Sequence, residues 1–333
     1  MILAGDVGGT KTVLALFEVV GEQLRLVREA TYASAQHASL DEILTKFLRD
    51  APATLPLRGV CLGVAGPVID GASHLINLDW RLDSAALADL IAVPRVALLN
   101  DLEAMAYGML HLADTELAVL NAGTRARGKG NLAVIAAGTG LGEAMLYWDG
   151  ARHHPIASEG GHVGFAPRSD VEIALLRFLR DRFGGHVSYE RVLSGPGLHN
   201  IYLFLRAHGA EAEPAWLTEK LSLGDPSARI AEAGLAGDDA VCVHTLALFA
   251  SIYGAKAGDL ALQCVALGGV FVGGGIAPKL LAVLRRGGFM EAFIDKGRFA
   301  EVMKSVPVCV ALNPRAALLG AAHYARRADA GRA

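Results

Sequence analysis

The sequence predicts an α/β fold in two lobes, and three observations carry that prediction. With 333 residues, the chain exceeds what one hydrophobic core of ordinary size encloses, so two lobes with separate cores are expected. Short apolar runs bounded by glycines alternate with stretches of helical periodicity, the pattern of sheets layered with helices. An apolar strand, a Gly/Thr turn and a second apolar strand occur twice, at Met1 to Val19 around Gly8-Gly9-Thr10 and at Asn131 to Trp148 around Gly138-Thr139-Gly140. The two hairpins lie about 130 residues apart, which suggests one phosphate-facing turn per lobe.

The remaining elements follow in order. A helix is expected at Leu40 to Ala51, a strand at Gly59 to Ala65, a helix near Leu82 to Ala92 and a strand at Arg95 to Leu99, with a helix-like stretch from Glu103 to Leu112. Val171, Ala174, Leu175, Phe178, Leu179 and Phe183 recur at helical spacing and are expected in the core. Asp238 to Cys264 reads as one or two largely buried helices. Val270 to Val272 forms a strand that enters Gly273-Gly274-Gly275, with a helix starting at Pro278, and Asn313 to Arg327 forms a last helix of small residues. No Pro/Ser-rich linker intervenes, so a lobe boundary must be a hinge inside the packed fold.

Composition narrows the function. At 53% hydrophobic and 20% charged residues, the chain suits a compact enzyme and not a disordered one. A net charge of -3 with scattered Lys and Arg offers no basic face for a nucleic-acid backbone. Cys61, Cys242, Cys264 and Cys309 lack metal-ligand spacing and are expected buried and reduced, as in a cytoplasmic protein. The start lacks an export signal's basic residues, and the most apolar stretch, Leu260 to Val272, is shorter than a membrane span, so no membrane segment is expected.

The glycine turns are candidate phosphate sites. Asp6 ends a strand before Gly8, Gly9 and Thr10, where a tight turn aims backbone amides at an anion. A carboxylate there would repel phosphate unless a cation intervened, so Asp6 suits Mg²⁺ held largely through water. Gly138-Thr139-Gly140-Leu141-Gly142 offers a second such turn, with the Thr139 hydroxyl as donor. Gly273 to Gly275 would let an adenine or ribose lie against bare backbone. Each turn alone also fits an ordinary hairpin or a close strand-to-helix contact.

Candidate polar ligands lie between the turns. Asn100-Asp101 follows an apolar strand, so both side chains should emerge at its carboxyl end. Asp101 could cap the following helix, or could act as the base that takes a proton from an attacking hydroxyl. Glu159-Gly160-Gly161-His162 pairs an acceptor and a donor around a turn with little bulk, suited to a small polyhydroxyl ligand, and also reads as a surface loop. Glu190 is a further acceptor, or half of an exposed pair with Arg191.

Six motifs in order carry a family resemblance over nearly the whole chain: Gly5-Asp6-Val7-Gly8-Gly9-Thr10, Gly63-Val64-Ala65-Gly66-Pro67-Val68, Leu99-Asn100-Asp101, Ala137-Gly138-Thr139-Gly140-Leu141-Gly142, Glu159-Gly160-Gly161-His162 and Val192-Leu193-Ser194-Gly195-Pro196-Gly197-Leu198. On these the chain resembles the bacterial glucokinase family, the hexokinase-type branch of the actin-like ATPase fold. The resemblance implies a two-lobed actin-like (ribonuclease H-like) α/β fold with an inter-lobe cleft. It implies ATP at Gly5, Asp6, Val7, Gly8, Gly9, Thr10, Gly138, Thr139, Gly140, Gly274 and Gly275, with Mg²⁺ at Asp6. Glucose hydroxyls would meet Asn100, Asp101, Glu159, His162 and Glu190, with Asp101 as the base. The smaller lobe would take 1–111 and 313–333, the larger 112–312, and a homodimer is implied.

Two departures and two alternatives accompany it. Lys11 and Thr12 stand where relatives often have Asn followed by Ala or Thr and then Arg, and Gly164 replaces an acidic residue common after His162-Val163. A related group that includes sugar-responsive repressors shares the Asp6 to Lys11 pattern. It has a cysteine cluster after its Glu-x-Gly-His, whereas this chain has no cysteine between Cys61 and Cys242, so His162 reads as a sugar ligand and not a zinc ligand. A repressor would also need a DNA-binding domain ahead of the first strand. A kinase for another hexose or amino sugar, and a non-catalytic ATP-binding sugar sensor, are the competing readings.

Overall fold

The computed structural model describes residues 1–21, 23–51, 56–209 and 212–330, and contacts divide the chain into two units. The first holds Met1–Asp114, Pro155–Ala157 and the segment from Asn313 onward, the second Thr115–His154 and Ser158–Leu312.

In chain order the first unit runs β1 (Ile2–Val7), β2 (Lys11–Val20), β3 (Gln23–Ala33), α1 (Leu40–Arg49), β4 (Gly59–Val64), β5 (Ala72–Leu75), β6 (Trp80–Asp83), α2 (Ser84–Leu90), β7 (Ala97–Asn100) and α3 (Asp101–Met109). Among the described residues its main sheet has the order β3-β2-β1-β4-β7, with β5 and β6 a separate pair. The hairpin β1–β2 is antiparallel, and β1–β4 and β4–β7 are parallel. Successive side chains of a strand point to opposite faces, and here both faces are apolar. Leu3, Val7, Leu14 and Leu62 pack with Leu40, Ile43 and Phe47 of α1, while Ile2, Ala4, Phe17 and Cys61 form the second cluster.

The second unit continues with β8 (Leu117–Asn121), β9 (Leu132–Ala137), β10 (Leu141–Trp148), β11 (His153–Ser158), α4 (Asp170–Phe183), α5 (Gly195–His208), α6 (Ala215–Ser222), α7 (Pro226–Ala236) and α8 (Ala240–Gln263). It closes with β12 (Gly269–Gly273), α9 (Leu281–Leu284), α10 (Gly288–Ile294), α11 (Ala300–Ser305) and β13 (Val308–Ala311). The sheet order is β11-β10-β9-β12-β13-β8. Again a hairpin, β9–β10, is antiparallel, and the next strands β12 and β13 join it in parallel. The repeat seen as two Gly/Thr hairpins is thus a repeat of sheet topology. The chain then returns to the first unit as α12 (Ala316–Ala330), whose Leu318, Ala321, Ala322 and Ala325 complete the second cluster there with Ala104 and Tyr107 of α3.

Several boundaries differ from expectation. Leu82 belongs to β6, because the Asp83 side chain accepts from the amides of Ala85 and Ala86 and so sets the start of α2 after it. No helix begins at Pro278: Gly274 turns the chain with φ +78° and irregular turns run on to Leu280. Val171 is half-exposed on the outer face of α4, while Leu175 and Leu179 are fully buried. Cys264 is only partly buried, unlike the other three cysteines. The longest apolar segment is α8, one helix long and apolar enough to cross a membrane by composition, but 61% of its most apolar window is buried, packed against α5, α7 and α10.

Candidate active site

In the first unit β1 delivers Asp6 to the head of the β1–β2 turn. The turn closes through the Gly8 amide donating to Lys11 O at 3.0 Å. It is held from the side by Ser34, whose hydroxyl donates to Gly8 O at 2.7 Å and lies 3.0 Å from the Thr12 hydroxyl. Thr12 and Ser34 are fully buried, so the turn is fixed from beneath while Thr10 stays exposed. Burial raises the Asp6 pKa, and the Lys11 ammonium opposes that rise. A partly desolvated carboxylate with one nearby cation is a group that gains from further positive charge. Asp6 therefore fits the part of a single carboxylate on a largely hydrated Mg²⁺. Lys11, of open role in the sequence, has an electrostatic one here.

Asn100 and Asp101 sit where β7 ends and α3 begins. The cap is Asn100: its Oδ1 accepts from the Leu102 amide at 2.9 Å, and Glu103 Oε2 accepts from the Asn100 amide at 3.1 Å, a capping box. Asn100 Nδ2 also donates to Gly66 O at 3.1 Å, which joins the Gly63 to Val68 motif to this strand end. Of the two roles open to Asp101, capping falls to its neighbour. Asp101 is the first helical residue, and its Oδ1 accepts from the same Leu102 amide at 2.9 Å.

In the second unit three segments meet at the end of β9. Across the Gly138–Gly140 turn the Gly138 amide donates to Gly140 O, and Gly138 O accepts from the Gly195 amide, both at 2.8 Å. Ser194 caps α5 by accepting from the Gly197 amide and donates to Glu190 O at 2.7 Å. Glu190 Oε2 accepts from the Leu141 amide at 3.1 Å, so this predicted sugar ligand is also tied to the strand that follows the candidate phosphate turn. Gly274 lies against the same strand end: a Cβ there would come within 2.3 Å of Ala137 O. Gly275 is exposed, with nothing within 4 Å of such a Cβ.

Glu159 precedes and His162 ends a short 3-10 turn, Gly160–His162, after β11. Their side chains are 60% and 58% exposed, for His162 and Glu159, with His162 Nε2 3.9 Å from Glu159 Oε2. Glycine is required sterically at Gly161, where a Cβ would stand 2.0 Å from the Leu141 carbonyl, while a Cβ on Gly160 would stand 2.2 Å from the Glu143 Oε2 side-chain tip. Gly164 is exposed and bridges to Ser188. The described residues contain no cluster of three or more His, Cys, Asp or Glu suited to a metal.

The structure therefore brings Glu190, Gly138–Gly140 and Gly274 together within the second unit. Sequence reasoning quoted Gly66 in a motif without giving it a role, and missed Ser34 and the buried pair Glu143–Lys256, whose Nζ–Oε1 separation is 3.1 Å. For Lys256 the signal was present as a lone lysine in the middle of an apolar helix.

A hairpin with a glycine turn at its head, continued by parallel strands and built once in each unit, defines a two-lobed actin-like ATPase fold. The chain belongs to the glucokinase family, whose signature matches residues 3–328. A glucokinase of Synechocystis sp. is 40% identical over 342 aligned residues, covering 96% of each chain. A crystal structure of a glucokinase from an Antarctic psychrotroph superposes with a TM-score of 0.84 at 33% identity, over 98% of both chains. A glucokinase of the ROK family from Streptomyces griseus, solved with glucose and AMPPNP, shares the fold at a TM-score of 0.66, 23% identity, and 98% and 99% coverage.

Proposed function

We propose that this chain transfers the γ-phosphoryl group of ATP to the 6-hydroxyl of glucose, with Asp101 as general base. The observation that carries the reading is the end of β7: Asn100 is the N-cap of α3 and Glu103 closes the capping box, so Asp101 enters the helix as its first residue at the strand's carboxyl end, sharing the Leu102 amide through Oδ1. Family membership supports the reaction, and the glucose and AMPPNP named for the S. griseus enzyme support the ligand pair.

Phosphoryl transfer asks little covalent chemistry of a protein and much positioning. Asn100, Glu159, His162 and Glu190 orient the sugar hydroxyls. Asp101 accepts the proton as the 6-oxygen attacks the γ-phosphorus in line. The amides of Gly9 and Thr10 and of Thr139 and Gly140, with the Thr139 hydroxyl, face the phosphates, while the Gly8 and Gly138 amides close the two turns; Gly275 leaves room for the nucleoside beside Gly274, which packs on Ala137. Mg²⁺, when bound beside Asp6, supplies neutralisation of phosphate charge. A cytoplasmic homodimer with its lobes at 1–111 plus 313–333 and 112–312 belongs to the same proposal, the dimer being checked by light scattering.

The test is Asp101→Ala assayed by coupled ADP release with glucose, mannose, fructose, galactose and N-acetylglucosamine supplied separately. We expect turnover to fall by about 10²–10⁴-fold while calorimetric glucose and ATP binding persist. Near-normal turnover removes Asp101 as base. Wild-type preference for another sugar replaces glucose.

A further inference from the structure

Lys256 and Glu143 form an ion pair at 2% and 1% side-chain exposure. Burying such a pair strips both ions of their hydration, and replacing it with apolar side chains of similar volume is often neutral or stabilising. The neighbours of Lys256 in α8 are Gly254, Ala255, Ala257 and Gly258, so nothing in the helix's own pattern calls for a charge. Its presence needs an explanation in what the pair touches.

It touches both segments that carry proposed sugar ligands of this unit. Glu143 Oε2 occupies the space where a Gly160 Cβ would stand, 2.2 Å from that point, so the carboxylate lies directly under the turn between Glu159 and His162. The Lys256 ammonium sits over the Tyr189 ring, 4.8 Å from its centroid, and Tyr189 precedes Glu190. The two segments are also stitched to each other: the Tyr189 amide donates to Val163 O at 3.0 Å, the Phe165 amide to Val187 O at 2.8 Å, and the His186 ring lies 2.9 Å from His162 O. Two residues before Glu143 on the same strand, the Leu141 amide holds the Glu190 carboxylate.

Apolar packing anchors the base of these segments, where Phe165, Val187 and Tyr189 are buried and the Phe165 and Tyr189 rings meet edge to face, but it does not hold the ligand-bearing turn itself. Glu159, His162, Val163 and Gly164 are exposed, and a cavity of about 390 Å³ separates Val163 and Gly164 from Asp259 and Leu262 of α8, with Lys256 and Tyr189 in its wall. On that side the turn rests on the pair and on the Tyr189 ring. Burial raises the Glu143 pKa and the Lys256 charge opposes this, so the carboxylate depends on its partner to remain an anion in that place.

We propose that Glu143 and Lys256 are positioning residues for the sugar: their buried ion pair, braced on the Tyr189 ring, sets the height and register of the segments bearing Glu159, His162 and Glu190. This rests on the reading that those three residues bind the sugar. A displacement near 1 Å in such a constellation is enough to cost on the order of 10²-fold, and the pair converts a loop seated beside a cavity into a fixed one.

The test is the double variant Glu143→Leu with Lys256→Met, which removes both charges and leaves neither ion stranded. Lys256→Met alone strands a buried carboxylate and is expected to lower Tm sharply. The double variant is expected to melt close to wild type. Its KM for glucose should rise at least about tenfold with calorimetric glucose affinity falling in parallel, while its KM for ATP stays within about twofold. Glu159→Gln in the wild-type background is run beside it. A folded double variant with unchanged glucose affinity, or with glucose and ATP requirements raised equally, overturns the positioning role when Glu159→Gln raises the glucose KM. If Glu159→Gln leaves that KM unchanged, the sugar assignment itself falls and takes this proposal with it.

Discussion

Helices α3 and α12 meet backbone to backbone, and Gly320→Ala is the substitution that tests what that closeness does. A Cβ on Gly320 would lie 1.7 Å from Ala104 O and 2.6 Å from the Gly108 nitrogen, against ordinary contact beginning near 3.4 Å. The shortfall is about 1.7 Å, and the obstructing atoms are helix backbone, which no rotamer change moves aside. Gly108 faces the same problem from the other side, its Cβ position lying 1.8 Å from Ala316 O. The helices must separate, loosening the cluster of Ala104, Tyr107, Leu318, Ala321, Ala322 and Ala325 that they bury together.

Overpacking of this kind costs about 1–3 kcal/mol and here belongs at the upper end or above it. Replacing a helical Gly by Ala returns up to about 1 kcal/mol. A net loss of roughly 2–3 kcal/mol lowers Tm by about 6–12 °C in a unit of this size. Because α3 begins at Asp101, one turn from Ala104, a shift near 1 Å should also reduce kcat by about 10–100-fold at temperatures where the variant is folded. The measurements are thermal unfolding followed by circular dichroism and coupled ADP release. The matched control is Gly288→Ala in α10, where a Cβ meets nothing within 4 Å and stability should hold or rise slightly. A Gly320→Ala enzyme with wild-type Tm and kcat would refute the reasoning.

Three further outcomes are expected. Asn100→Ala removes the capping box and strands the Gly66 carbonyl, so urea unfolding should show a loss of about 2–3 kcal/mol, and a loss below about 0.5 kcal/mol contradicts the cap. Glu190→Ala leaves the Leu141 amide without its acceptor and should raise the ATP and glucose KM together, unlike Glu159→Gln, and an effect on glucose alone would separate Glu190 from the phosphate turn. His323 stacks on His111 with centroids 3.5 Å apart, and burial, with His111 and Arg326 adding to it, pushes its pKa down to about 3 from 6.5. The unfolded chain binds that proton first, so this contribution is full above pH ~6.5 and is lost as pH falls from there toward about 3. Urea stability should drop by at most about 2 kcal/mol between pH 7 and pH 5 on this account, and His323→Gln should flatten the profile; an unchanged slope rejects the assignment.

What the sequence made legible was local. The two glycine hairpins announced themselves because β1, β2, β9 and β10 are mostly buried and their turns need small residues. The 11-residue strand β3 gave no such signal: Gln23, Arg25, Leu26 and Val27 all face solvent, so it shows neither a buried run nor a clean alternation. Strands β8 and β13, of five and four residues, are too short for periodicity to register. The candidates Asp6, Asn100 and Asp101 stood out because each lies at or next to the carboxyl end of an apolar strand. Their supports were not, because Ser34 lies 26 residues from Gly8 and Asn100 lies 34 from Gly66. Pairings over such separations are made by the fold and leave no local trace.

Glu190 shows what this means for reading function. As a residue type it promised one acceptor for one hydroxyl, and in the fold its carboxylate also closes the phosphate turn through the Leu141 amide while its carbonyl accepts from the Ser194 cap of α5. A carboxylate that spends one oxygen on a backbone amide is held in a single orientation, so its other oxygen is offered to a ligand in a defined direction. Within the second unit the Glu190 segment and the strand that follows the Gly138–Gly140 turn therefore share a hydrogen bond. On the proposed assignment of Glu190 to the sugar and of Gly138–Gly140 to the phosphates, a movement of Glu190 would strain or relax that turn through this one bond, which would give the two substrates a physical route to sense each other.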